Sequence, residues 1–351
     1  MAAAPTIAAR AQMLGHANGF DGLRFLLALG IAVFHCYTLA NASTAGMAWP
    51  VETAARLILP AFFVLSGYLV ASSLARSGTV REFLLLRLLR ILPALAVVTI
   101  ASVLLVGPLF TTVELRDYFS DSKVPTYLQN ILGLQRFELP GVFEANPRAA
   151  IVNGSLWTIQ LEMICYGLLA TLSLLSRGRL LDFLLLGWGA LLLFPHIPFV
   201  GLMLAWLPAK DLALGFVAGA LLYRYAGRVI LHPLAGVTSL LLAFWLVRAG
   251  EHAALAVLPL AYGVIWLAIR RIPVSLTRAD YSYGLYLAAY PLQQAAIYLS
   301  PGIAWWGVLT TALPLALLCA IVLWHGVERP LLARKHEIIA RLRGTAVAVR
   351  V

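Results

Sequence analysis

The chemistry-bearing residues of this sequence stand where an apolar chain ought to exclude them. Within the run from Phe20 to Ala40, Arg24 and His35 are eleven residues apart. On a helix this spacing returns them to within about 20° of one face, about 16 Å apart along the axis. Arg24 lies near one end of the run, where a long side chain can snorkel to the headgroups. His35 is too short for that escape. A neutral imidazole hydrogen-bonded within a bundle is one reading, but an ionisable residue at this depth is by default a candidate for function. A later run opens Asn153-Gly154-Ser155-Leu156-Trp157-Thr158 and carries Glu162, about two turns inside its edge. A carboxylate there must be paired, protonated or wet, and His35 is its expected partner. Taken singly, Ser155 reads as a helix cap and Trp157 as an interfacial anchor.

Other polar groups recur at mid-depth. Phe62-Phe63-Val64-Leu65-Ser66-Gly67-Tyr68 combines a hydroxyl with a glycine, a pairing suited to close helix contact. A basic loop ahead of the next span brings Arg81, Arg87 and Arg90, the last two on one helical face at i and i+3. Arginine forks at a membrane surface suit phosphate groups. Tyr281-Ser282-Tyr283-Gly284-Leu285-Tyr286 continues to Tyr290-Pro291-Leu292-Gln293-Gln294, too polar to face lipid on every side. Cys36 points about 100° away from His35, so a covalent relay through its thiol is not expected.

The elements that must hold these residues are membrane helices. In 351 residues, 62% are hydrophobic and 12% charged, and the mean hydropathy is +0.88, which leaves too little polar surface for a soluble globule. The expected fold is all-α, a polytopic bundle of about ten spans at 21–40, 54–75, 90–110, 155–176, 180–195, 207–223, 229–247, 253–269, 281–299 and 303–324. Of 26 basic residues, seven (Arg56, Arg116, Lys123, Arg136, Arg148, Lys210 and Arg248) then fall outside or near outer helix ends, and 19 inside. The positive-inside rule therefore puts both termini in the cytoplasm. The net charge of +11 is topological, and no nucleic-acid partner is expected. The chain reads as one domain, 1–351, with a cytoplasmic segment 1–19, an outer loop 111–153 and a basic tail 328–351. Residues 1–19 hold no apolar block of signal-peptide length. Cys36, Cys165 and Cys319 sit in apolar runs and suggest neither a disulfide framework nor a metal site.

In this order, these pieces resemble the acyltransferase 3 family of bacterial membrane acyltransferases, over nearly the whole chain. The markers are Phe20-Asp21-Gly22-Leu23-Arg24 with His35, the Phe62 to Tyr68 segment, Arg87 and Arg90, Asn153 to Thr158 with Glu162, Ser282 to Tyr286, and Glu328-Arg329-Pro330. Where many relatives carry Trp-His before the proline of the ninth span, this chain has Ala288 and Ala289, which argues against a second intramembrane histidine. The resemblance implies a multi-pass enzyme of the bacterial cytoplasmic (inner) membrane that transfers an acyl group, commonly acetyl, from cytoplasmic acyl-CoA to a hydroxyl of a surface or exported polysaccharide, or of a lipid-linked saccharide. In that setting Arg24, Arg87, Arg90 and Arg329 are expected to meet CoA phosphates. His35 is expected to be the general base, with Glu162 steadying its imidazolium. Ser66, Tyr68, Asn153, Ser155, Trp157, Tyr286 and Gln293 are the expected substrate-binding residues, and no metal is called for. The rival reading from another class is a transporter or flippase of a glycan or lipid precursor, its pathway lined by the same polar residues.

Overall fold

The computed structural model describes residues 4–15, 19–175, 179–193, 197, 209–250, 253–270 and 279–342. Its helices are α1 (Ile7–Leu14), α2 (Phe20–Ala40), α3 (Trp49–Arg76), α4 (Val80–Ala101), α5 (Leu115–Ser120), α6 (Lys123–Tyr127), α7 (Trp157–Leu175), α8 (Arg179–Leu193), α9 (Lys210–Arg224), α10 (Pro233–Ala249), α11 (Ala253–Ala268), α12 (Ser282–Leu299), α13 (Trp305–Leu323) and α14 (Lys335–Leu342). Among the described residues, pairing of extended chain is confined to two isolated bridges, Thr6 with Ile230 and Thr111 with Val142.

Among the described residues, five helical stretches are long and apolar enough to cross a membrane: Phe20–Ala40, Trp49–Arg76, Val80–Phe110, Gly154–Leu175 and Trp305–Ala333. They match the first four and the tenth of the expected spans. The other five appear as α8 to α12, of 15 to 18 residues each. A helix of that length rises about 22–27 Å, short of the roughly 30 Å of bilayer hydrocarbon. The start of the expected 207–223 span, and Arg177, Arg271, Arg278, Arg343 and Arg350 of the inner set, lie outside the described residues. One boundary is corrected. Arg81, Arg87 and Arg90 belong to α4 rather than to a loop before it, because the Thr79 hydroxyl accepts from the Glu82 amide at 3.1 Å and the Glu82 carboxylate accepts from the Gly78 amide at 3.2 Å. Reciprocal bonds of this kind start a helix.

The chain forms two compact units. The first comprises residues 1–31, 46–77 and 161–280. In it α3 and α9 approach so closely that a Cβ on Gly67 would strike the Phe216 carbonyl, and one on Gly219 the Val64 carbonyl. Small residues permit such contact where lipid offers no hydrophobic drive to association. Phe20 stacks on Tyr68 at 5.2 Å, and Tyr223 meets Tyr68 edge-on at 5.4 Å.

The second unit comprises 32–45, 78–160 and 281–351. Gly284 of α12 lies against the Ala320 backbone of α13. Beyond Ala101, α4 widens into a π-turn, Ser102–Val106, and ends in a short helix, Gly107–Phe110. The Tyr118 hydroxyl donates to the Val103 carbonyl at 2.9 Å, which satisfies backbone that the wider turn loosens. Burial pushes that phenol up to about 12, so it stays a donor. The 111–153 segment, expected as a loop, has its own core of Tyr118, Tyr127, Leu139, Val142, Phe143 and Val152. Phe143 holds a left-handed φ of 58°, a strained conformation for an aromatic residue. Its fully buried ring stays there by packing on Phe110 at 5.2 Å and Tyr298 at 5.9 Å. An apolar groove of about 670 Å³ runs between α4, α12 and α13.

Because backbone, not a pliable side chain, faces the glycines between α3 and α9, Gly219→Ala should lower stability by about 1–3 kcal/mol. A reduced thermal midpoint of the detergent-solubilised protein is the expected reading, and an unchanged midpoint would contradict this packing.

Candidate active site

In the first unit, Arg24 donates through Nη1 to Asp280 at 2.8 Å, and its guanidinium lies over the Phe62 ring at 5.8 Å. Both groups are largely buried, at 20% and 10% side-chain exposure. A charge so placed needs a counter-charge. The Ser66 hydroxyl donates to Glu162 Oε1 at 2.7 Å, and the Tyr166 hydroxyl donates to the same oxygen. The half-buried carboxylate is thus held by hydroxyls one turn along its own helix and across on α3. Tyr68 stacks on Phe20 and meets Tyr223 edge-on.

In the second unit the polar residues gather on α12. Pro291 has no N–H, so the Leu287 carbonyl four residues earlier loses its helical donor. The Asn153 side-chain amide supplies one, at 2.9 Å. Asn153 Oδ1 accepts from the Ser155 amide at 3.1 Å, which starts the 3₁₀ turn Gly154–Leu156 that leads into α7. Asn153, not Ser155, is therefore the cap. Ser155 contributes its carbonyl, which accepts from Tyr286 at 3.0 Å and from Thr158 at 3.2 Å, and the two hydroxyls lie 2.5 Å apart. Trp157, the first residue of α7, is half-buried.

His35 of α2 is half-buried, and its ring meets Tyr290 edge to face at 5.3 Å and 79°. Gln293 donates to the Ala32 carbonyl at 2.7 Å and to Cys36 Sγ at 3.1 Å, three residues before His35 and one after it on the same helix. The next residue, Gln294, donates to the carbonyls of Arg148 and Ile151 at 2.8 and 2.7 Å, and it accepts from Asn146 at 3.0 Å. Neighbouring amides of α12 thereby tie down the histidine helix and the 111–153 segment.

Arg90 pairs with Glu328, at 16% and 3% side-chain exposure, and lies over the Tyr283 ring at 5.3 Å. The Tyr283 hydroxyl donates to the Ile91 carbonyl at 2.9 Å. Arg87 is half-buried on the same helix, whereas Arg329, next to Glu328, is exposed. Tyr166 carries no signal by type or spacing that marks it in the sequence, and Asp280 is not singled out there. Asp280, however, immediately precedes the Tyr281 to Tyr286 segment, where a lone carboxylate beside an apolar helix calls for a partner.

Two outcomes follow from these bonds. Asn153→Ala should cost about 1–3 kcal/mol by orphaning a buried carbonyl and a cap. Adding Pro291→Ala should recover part of the thermal midpoint, since the new amide can serve Leu287; two purely additive losses would refute the link. Glu328→Gln removes the counter-charge that faces Arg90 and should cost about 3–5 kcal/mol, read as a lower thermal midpoint, with a smaller drop for Glu328→Asp.

Comparison with known proteins gives this arrangement its context. The acyltransferase 3 model, described as an acyltransferase domain, matches residues 17–325. An O-acetyl transferase of Shigella phage Sf6 is 28% identical over 290 residues, which cover 80% of this chain and 86% of the relative. No solved structure matches the chain. With the match running from before Arg24 to beyond Trp324, the chain belongs to the acyltransferase 3 family of membrane acyltransferases.

Proposed function

We propose that this acyltransferase moves an acetyl group from acetyl-CoA, supplied at the cytoplasmic face of a bacterial inner membrane, to a hydroxyl of an exported glycan or lipid-linked saccharide. Similarity to a phage O-acetyl transferase supports acetyl and an oxygen acceptor. Ten spans with both termini cytoplasmic is the topology that the distribution of basic residues favours. In that topology Arg24, Arg87, Arg90 and Arg329 meet the CoA phosphates from the inner side, and the 111–153 segment lies outside near the acceptor. Arg24 uses Nη1 for Asp280. A guanidinium has five N–H donors in a fork, so that ion pair leaves it able to bind phosphate.

The observation that carries the reading is His35, a half-buried imidazole held against Tyr290 and set eleven residues beyond Arg24 on one unbroken helix. In the proposed reaction, His35 takes the proton of the acceptor hydroxyl as that oxygen attacks the thioester carbonyl. The C–S bond then breaks, and the departing thiolate takes the proton from the imidazolium. Glu162, set by Ser66 and Tyr166, is proposed as the second acid–base group of the reaction. Ser66, Tyr68, Asn153, Ser155, Trp157, Tyr286 and Gln293 are the proposed surroundings of the two reactants.

General-base catalysis contributes about 10²–10⁴-fold. His35→Gln should therefore abolish acetyl transfer from acetyl-CoA to purified acceptor glycan by a factor of that order, at normal protein level in the membrane. Retained transfer would remove His35 from the chemistry. Movement of saccharide across vesicles with no acyl product would instead favour a translocation pathway.

A further inference from the structure

The base has a neighbour positioned to act on the other side of the reaction. Tyr290 meets His35 edge to face, and its ring is buried at 6% exposure. The tip of the ring lies over Gly154: a Cβ at that position would come within 2.6–2.7 Å of Cζ, Cε2 and the hydroxyl oxygen. Gly154 opens the turn that Asn153 caps, and Asn153 is bonded to the Leu287 carbonyl, less than one turn before Tyr290 on α12. The phenol is thus fixed at its base by its own helix and at its tip by a turn fastened to that helix. Tyr283 and Tyr286, on the same helix, spend their hydroxyls on the carbonyls of Ile91 and Ser155. Among the described residues, no hydrogen bond engages the Tyr290 hydroxyl, and it is not one of the enclosed polar atoms left without a partner, so it is open to a reactant.

We propose that the Tyr290 hydroxyl is a catalytic hydrogen-bond donor to the thioester carbonyl oxygen, stabilising the oxyanion that forms as the acceptor attacks. The inference rests on the assignment of His35 as base and supplies the electrophilic half of the same step. As the new C–O bond forms, the carbonyl π pair moves onto oxygen, where the Tyr290 O–H donates without giving up its proton. The pair returns as the C–S bond breaks, and the proton held by His35 goes to the thiolate. Atoms and charge balance with acyl-CoA and acceptor alone. A donor preset beside a low-dielectric site favours the transition state over the ground state, because charge on that oxygen develops only as the reaction proceeds. Gly154 is then required for a reason beyond turn formation, since any side chain there would displace the hydroxyl.

The test is Tyr290→Phe, which keeps the ring against His35 and removes only the donor. The expected result is a fall in kcat of about 10²–10³-fold. KM for acetyl-CoA and the pH profile of kcat/KM should stay unchanged, because the base is untouched. An unchanged kcat overturns the proposal, and so does a raised KM with kcat preserved, which would make Tyr290 a binding residue. Should the phenylalanine variant fail to fold, 3,5-difluorotyrosine at position 290 retains ring and hydroxyl while strengthening the donor. A shifted kcat then supports the proposal, and an identical one overturns it. His35→Gln, measured in parallel, separates the two assignments. If it is active, the base reading falls. If it is inactive while Tyr290→Phe runs at full rate, only the present inference falls.

Discussion

A single missing hydrogen sets the organisation of α12. Proline at 291 leaves the Leu287 carbonyl without its helical donor, and the chain fills the vacancy from outside the helix, with the amide of Asn153. That bond anchors the Gly154–Leu156 turn and hence the start of α7. It also brings Ser155, Thr158 and Tyr286 into one hydroxyl and carbonyl cluster. A kink that would weaken a solitary helix becomes an attachment point in a bundle where every buried polar group must find a partner. Gln293 and Gln294 extend the same logic in two directions, to the backbone of α2 around His35 and to the backbone of the 146–151 stretch.

The segments that mark the family in sequence turn out, within each unit, to be each other's counterparts. Ser66 of the second apolar run meets Glu162 of α7. Phe62 of that run lies under Arg24 of α2. Arg90 meets Glu328 and rests on Tyr283. Such pairings follow from desolvation: a charge or amide placed in a helix bundle is costly alone and tolerable when paired.

Much of this is legible in the sequence. Arg24 and His35 stand out because lipid excludes their types, and Glu162 because no comfortable structural role accounts for it. The all-helical character follows from hydropathy. Other features required the fold. A carbonyl orphaned by Pro291 is evident from sequence, but its donor 134 positions earlier is not. Asp280 looks like a loop residue until Arg24 is found beside it. The aromatic stack around Tyr68 and the bonds by which Gln293 braces α2 join residues too far apart in sequence to be paired from it. Ser155 looked like a cap because hydroxyls often are, and Asn153 took that place with a side chain long enough to serve Leu287 as well. The short helices α8 to α12 blur span counting, since composition marks them as apolar without making them long.

The Arg90 and Glu328 pair has a consequence for how the protein is made. The partners are separated by 238 positions, and a chain is synthesised from its N-terminus. When α4 leaves the ribosome, the carboxylate that will neutralise its arginine does not yet exist. Until α13 and the turn after it arrive, Arg90 must stay near the lipid surface or in water, so α4 takes its final depth late. Assembly of the second unit therefore closes from its C-terminal end, and nascent chains stopped short of Glu328 leave that helix without its electrostatic latch.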